Sequence, residues 1–209
     1  MTTPLRIAYV INSLESGGAQ SLLIDFVKRL DKSKIAPYIV YLKNNNAYAA
    51  IIQKEQIRAD YVKLSMKLPT DELKNLSNYF KENAIQIVHA HTDTASFAAR
   101  VAGVFHPSAY YISHYHNNYE RRVNQDYIEL ETLLGPYTDA YVGCSETVTN
   151  FMVNRLNLNR FPLITIMNGI DLLPFLQTTI SQNKIREKLN ISTSCFHLVH
   201  VARLKTVKR

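Results

Sequence analysis

Ile7-Ala8-Tyr9-Val10-Ile11 is an almost unbroken apolar run of strand length. Such a run suits a strand covered on both faces, as in a parallel sheet. The pattern breaks at Asn12-Ser13-Leu14-Glu15-Ser16-Gly17-Gly18, then resumes with another period. Leu22, Leu23, Phe26, Val27 and Leu30 share one helical face, and Asp25, Lys28 and Arg29 fall elsewhere. Gly17 and Gly18 let the backbone turn sharply and let a ligand approach with no Cβ in the way. The free N–H groups of the helix start face that space, with the positive end of the dipole behind them. A phosphate could be held there. A plain chain reversal accounts for the two glycines equally well.

The rest of the chain repeats this alternation. Strands are expected at Ile35–Leu42, Ile57–Leu64, Ile85–Val88, Ala109–Ser113, Ala140–Gly143 and Leu163–Met167. Helices are expected between them: a short one at Ala47–Gln53, one opened by Thr70 as cap with the apolar stripe Leu73, Leu76, Tyr79 and Phe80, and a small-residue helix through Ala95, Ala98, Ala99 and Ala102. A helix at Asn124–Leu134 carries Tyr127, Ile128, Leu130, Leu133 and Leu134, and Ser145 caps a helix reaching Leu156. The pattern predicts an α/β fold with a doubly wound, mostly parallel, Rossmann-like sheet. Beyond Asp171 the rhythm changes. A connector with a short helix at Gln182–Leu189 leads to an apolar run, Phe196–Ala202, that reads as one more strand with no helix after it to cover it.

Composition narrows the setting. The 209 residues suit one α/β domain with part of another. No run of about 18 apolar residues suggests a membrane span, and the most apolar long stretch, Ala95–Phe105, is interrupted by Arg100. The N-terminus does not resemble a signal peptide, and the two cysteines, Cys144 and Cys195, make no disulfide framework. A reducing, cytoplasmic location is expected. The net charge of +7 favours anionic partners, but the basic residues are scattered and form no nucleic-acid module.

In such a sheet, ligands bind outside the carboxyl ends of the strands. There the sequence places Gly17 and Gly18, then His89, His91, Thr92 and Asp93, then His114, His116, Asn117 and Asn118. Ser145 and Glu146 follow the next strand, and Asn168, Gly169 and Asp171 the last. Spacing i, i+2 on extended chain puts His89 with His91, and His114 with His116, on common faces. Four imidazoles could ligate zinc, but no cysteine or carboxylate stands at a familiar zinc spacing, so no metal is expected. Hydrogen bonding to a substrate is the preferred role, with half-buried strand-end histidines as the plain alternative. Asn168-Gly169 reads as a turn, and Ser145-Glu146 as a helix cap with an acid in the first turn; no Gly-x-Ser-x-Gly elbow supports a nucleophilic serine.

Taken in order, Gly17-Gly18-Ala19-Gln20, His89-Ala90-His91-Thr92, the strand ending at His116, Ser145-Glu146-Thr147, Asn168-Gly169-Ile170-Asp171 and Val201-Ala202-Arg203-Leu204 resemble the GT-B glycosyltransferases of family 4. The resemblance spans essentially the whole chain. It implies an acceptor-binding Rossmann-like domain at residues 1–171, a linker at 172–195, and the first strand of an incomplete donor-binding domain at 196–209. It also implies transfer of a sugar from a nucleotide-sugar donor to a glycan or lipid-linked acceptor, with retention at the anomeric carbon and no metal or other cofactor. By the same resemblance His116 is the active-site histidine, Gly17 and Gly18 lie by the donor diphosphate, and Arg203 and Lys208 are the basic pair that neutralises the leaving diphosphate. His91, Thr92, His114, Asn117, Ser145, Glu146 and Asn168 are the expected substrate contacts. The family's glycine after the second basic residue is Arg209 here, and its paired-glutamate motif has no counterpart within these residues. A truncated acceptor half with weak or no activity of its own is therefore expected, either a shortened gene product or one half of a split enzyme that works with a separate donor-domain chain. Lys63, Lys67, Arg121 and Arg122 could rest on an anionic membrane at its inner face. Two other readings remain: a non-catalytic half that pairs with a separate donor domain, and a nucleotide-binding oxidoreductase. Against the oxidoreductase, the first turn lacks Gly-x-Gly-x-x-Gly and the second strand ends in Leu42-Lys43 rather than an acid.

Overall fold

The computed structural model describes residues 3–65, 67–118, 120, 123–177, 181–192, 196 and 198–199. Chain contacts divide it into two compact units, Met1–Gly169 and Ile170–Arg209.

The first unit carries seven strands: β1 Leu5–Ile11, β2 Ile35–Tyr41, β3 Ala59–Tyr61, β4 Ile87–His91, β5 Tyr110–Tyr115, β6 Ala140–Gly143 and β7 Leu163–Thr165. They form one sheet in the order β3-β2-β1-β4-β5-β6-β7, and every neighbouring pair is parallel. Helices α1 Gly18–Arg29, α2 Ala49–Lys54, α3 Thr70–Glu82, α4 Asp93–Gly103, α5 Gln125–Leu134 and α6 Glu146–Leu156 provide the connections. The doubly wound α/β fold is thus present, and the sheet is parallel throughout.

Alternation along the strands sorts the core into layers. Ala8, Val10, Val40, Val88 and Ala90 face α3 and α4, where Leu76, Phe80, Ala98, Ala99 and Ala102 bury against them. Ile7, Tyr9, Ile11 and Ile39 point the other way, onto Leu23, Ile24 and Val27 of α1. The alanines of α4 are nearly or fully inaccessible because small side chains let the helix lie close on the sheet. A third cluster joins Tyr115 and Tyr141 to Phe151, Met152 and Leu156 of α6.

Several local expectations change. Pro69, not Thr70, stands at the N-cap of α3, and Thr70 is the first helical residue. Proline's fixed φ suits that position without a side-chain cap. Ser145 does cap α6, accepting from the Val148 N–H at 3.3 Å. Asn168-Gly169 makes no turn; residues 166–170 run on from β7 without regular structure. Cys144 is partly buried, and that burial raises its thiol pKa. No helix among the described residues is long and apolar enough to cross a membrane.

The second unit holds α7 Leu173–Leu176 and α8 Gln182–Lys188, the latter capped by Ser181. Most of the expected strand at 196–202, with Arg203 and Lys208, lies outside the described residues, as do Cys195, Arg121 and Arg122.

Candidate functional site

The chain runs from β1 outward to β2 and β3 on one side, and from β4 outward to β7 on the other. β1 and β4 are neighbours, so the order reverses between them. Loops that leave their carboxyl ends diverge and open a crevice, the usual ligand position in an open α/β sheet.

On the β1 side, the loop is pinned to the turn after β2. The Leu14 N–H donates to the Asn45 carbonyl at 2.9 Å, and the Ala47 N–H to the Leu14 carbonyl at 2.8 Å. Gly17 is the N-cap of α1 with extended backbone, φ −173° and ψ 162°. No described glycine has positive φ, so the loop does not reverse through a left-handed glycine. Gly18 opens the helix, and a Cβ there would meet nothing within 4 Å. The first helical bond runs from the Ser21 N–H to the Gly17 carbonyl. The N–H groups of Gly18, Ala19 and Gln20 therefore precede any intrahelical acceptor.

On the β4 side, three of the four histidines stand on the strands themselves. His89 and His91 end β4, His114 is the penultimate residue of β5, and His116 follows it. In register, His91 lies beside His114, and His89 beside Tyr9 and Ile112. The shared face brings the imidazoles into one stack. Ring centroids are 4.4 Å apart for His89 and His91, 4.2 Å for His114 and His116, and 5.1 Å for His91 and His116. His89 Nε2 lies 3.2 Å from His114 Nδ1, and His91 Nδ1 lies 2.8 Å from His116 Nε2.

Burial governs their charge. It lowers His89 and His116 to about 4 and His114 to about 2, and takes His91 well below the ordinary value. Mutual repulsion adds to the effect for His89, His91 and His114. At neutral pH the stack is uncharged, and each ring offers one donor and one acceptor. Nε2 of His91 and of His114 are buried without a hydrogen-bond partner among the described residues, as are Oδ1 of Asn12 and Oγ1 of Thr92. Buried polar atoms are normally paired, so four unpaired ones at the carboxyl ends of three neighbouring strands, β1, β4 and β5, point to a ligand or water that completes them. Thr92 adds backbone strain, with φ 72° and ψ 161°, a region that side chains avoid. Its N–H donates to the His114 carbonyl at 3.2 Å.

A cleft of about 180 Å³ opens over this stack. His89, His91 and His114 line it together with Leu22, Leu23 and Phe26 of α1 and with Ile166 to Gly169. Of the expected contacts, His91, His114 and Asn168 thus meet at one cavity, and His116 supports His91 from beside it. Asn117 is exposed, its side chain accepting from the Asn118 N–H at 2.8 Å. Ser145 is occupied in capping α6 and Glu146 is exposed on its first turn. Gly17 and Gly18 stand at the neighbouring loop and do not line the cleft. Asn12 and Phe26 were not anticipated. Phe26 reads as core by its helical phase, yet it is 45% exposed and meets Tyr9 edge-on.

Comparison with known proteins shows what the chain is similar to. Residues 16–172 match the model of Glycosyltransferase Family 4. Over 97% of its length, the chain is 28% identical to the Bacillus subtilis (strain 168) protein named "Putative glycosyltransferase EpsF", of which it covers 55%. A glycosyltransferase from Rickettsia africae ESF-5 superposes with a TM-score of 0.77 at 17% identity, over 92% of this chain and 51% of that one. Anabaena HepE, solved in complex with UDP, superposes with a TM-score of 0.70 at 17% identity, over 89% of this chain and 50% of that one. The chain spans about half the length of these relatives.

Proposed function

Since the chain belongs to Glycosyltransferase Family 4, we propose that it serves transfer of a sugar from a nucleotide-sugar donor to a glycan or lipid-linked acceptor, in polysaccharide or glycoconjugate assembly. The observation that carries this reading is the uncharged histidine stack with unpaired Nε2 atoms, set beside the open helix start at Gly18. A diphosphate suits the free N–H groups of α1, and a sugar's hydroxyls suit rings that can both donate and accept. The HepE structures with UDP and with UDP-glucose support a nucleotide sugar as donor.

In this reading His116 is the catalytic histidine and His91, to which it is hydrogen-bonded, holds its ring in place. With a pKa near 4, His116 acts as a neutral hydrogen-bond partner of the donor sugar rather than as an acid. His91, Thr92, His114 and Asn168 meet substrate, and Asn117, Ser145 and Glu146 flank it. As the bond to the sugar breaks, charge gathers on the diphosphate. Fixed positive groups there lower the barrier, a role assigned to Arg203 and Lys208. Transfer retains the anomeric configuration and uses no resident metal. Residues 1–171 form the acceptor domain, 172–195 the linker and 196–209 the start of the donor domain. The chain works in the cytoplasm, at the inner membrane face where its basic residues meet anionic lipid, and a donor domain, on the same polypeptide or on another, completes the site for turnover.

Calorimetric titration of the purified chain with UDP, GDP and their sugar conjugates tests this. Binding of one nucleotide, weakened by His116→Ala for the sugar form alone, is expected. Equal loss for nucleotide and nucleotide sugar would remove His116 from the sugar site. No binding by any would confine the chain to the acceptor side. Brisk sugar transfer by the chain alone would overturn the need for a second domain.

A further inference from the structure

The histidine stack also has the makings of a metal site. Imidazole is the common ligand for zinc, copper and nickel. His89, His91 and His114 each offer a ring nitrogen, and those nitrogens all lie within 4.8 Å of one another. His89 Nε2 and His114 Nδ1 are already 3.2 Å apart. Two ligands about 2.0–2.1 Å from a tetrahedral zinc ion stand at close to that separation. His91 is prepared from behind: its Nδ1 pairs with His116 Nε2 at 2.8 Å, while its own Nε2 is buried and unpartnered. Metal-bound histidines usually donate the far N–H to a carboxylate, carbonyl or water, which fixes the ring so that the near nitrogen presents its lone pair; here the His116 ring takes that acceptor's place. The open side of the stack faces the cleft, which leaves the fourth position to water.

We propose that His89, His91 and His114 bind a divalent transition metal ion, with zinc the preferred occupant, and that His116 positions His91 for it. The ion would sit on the floor of the cleft, so it and any cleft ligand exclude each other. The site is then an inhibitory one for a reaction that needs no metal. Only that last consequence rests on the function proposed above.

The test uses untagged full-length chain, stripped with chelator and dialysed, with Co²⁺ as a visible probe and Zn²⁺ as competitor. One Co²⁺ per chain is expected, with the intense visible absorption of four-coordinate cobalt, lost on adding one equivalent of Zn²⁺. His89→Gln and His114→Gln should each weaken binding at least about tenfold, and His116→Gln about tenfold through His91. His106→Gln, and His197→Gln with His200→Gln, should change nothing. Absence of a 1:1 complex in the unaltered chain would overturn the proposal without reference to any variant. So would cobalt binding that survives loss of both His89 and His114, or that disappears with His197 and His200. Each variant's circular dichroism is compared with that of the parent before it is scored. Nucleotide titration of the metal-free chain is a separate measurement, so failure of the metal site and failure of the sugar-transfer reading are told apart.

Discussion

Thr92 shows what a sequence can and cannot say about one residue. Its position after a strand and before a helix is visible in the pattern, and so is its place beside His91. Its backbone conformation is not, because φ 72° and ψ 161° result from how β4, β5 and α4 meet. A β-branched residue held there costs about 1–3 kcal/mol. Thr92→Gly should relieve that strain, less the 0.5–1 kcal/mol or so of extra chain entropy that glycine adds to the unfolded state. A net gain of about 1 kcal/mol in urea unfolding is expected. If the Thr92 hydroxyl meets substrate, affinity for a nucleotide sugar should fall at the same time. A glycine variant that is less stable would mean that the hydroxyl or methyl makes a compensating contact, and that the strain is not a reserve held for function.

At the scale of elements, the fold's main polar joint was the least legible part. Arg100 reads as an interruption in an apolar stretch, and Leu130 and Leu133 read simply as two of the apolar residues that α5 carries. In the structure Leu133 is 67% exposed and Glu131 is wholly buried. The helix is turned so that Glu131 meets Arg100 through two 2.8 Å bonds, Nη1 to Oε2 and Nη2 to Oε1. Tyr115 and Tyr141 also donate to Glu131. Hydrophobic phase cannot foresee this, because a buried guanidinium needs its carboxylate more than a leucine needs the core. Burial opposes the Arg100 charge, but Glu131 outweighs it and raises the pKa. The joint ties α4 and α5 to β5 and β6, directly behind the histidine strand. Glu131→Ala should cost about 3–5 kcal/mol by leaving Arg100 buried and unpaired. Arg100→Met combined with Glu131→Leu should recover most of that loss. Denaturant unfolding of Arg100→Met, Glu131→Leu and the double decides it; a double variant as weak as the sum of those singles would mean that Arg100 and Glu131 are not coupled and that each is held by its other contacts.

For the whole molecule, alternation along the chain was enough to predict a doubly wound sheet, and the rule that ligands bind outside the carboxyl ends of its strands was enough to gather the histidines at one edge. Strand order was not legible, since nothing local in the sequence says that β4 returns to the far side of β1. That return stacks the rings and buries them, and burial has a consequence for the entire fold. In the unfolded chain each histidine titrates near 6.5, whereas in the folded chain His89 and His116 hold out to about 4, His114 to about 2, and burial keeps His91 well below its ordinary value. Above pH 6.5 both states are neutral and the stack has no effect on pH dependence. As the pH falls below 6.5 the unfolded chain takes up protons that the folded chain refuses, so stability falls. At pH 5 the loss is on the order of 1–2 kcal/mol per ring. Thermal unfolding of the chelator-treated chain should therefore show a falling midpoint between pH 6.5 and 5. A variant with His91→Gln and His114→Gln should fall less steeply over the same window. Equal slopes would mean that the rings charge as freely inside the fold as outside it, and that the stack is hydrated rather than closed.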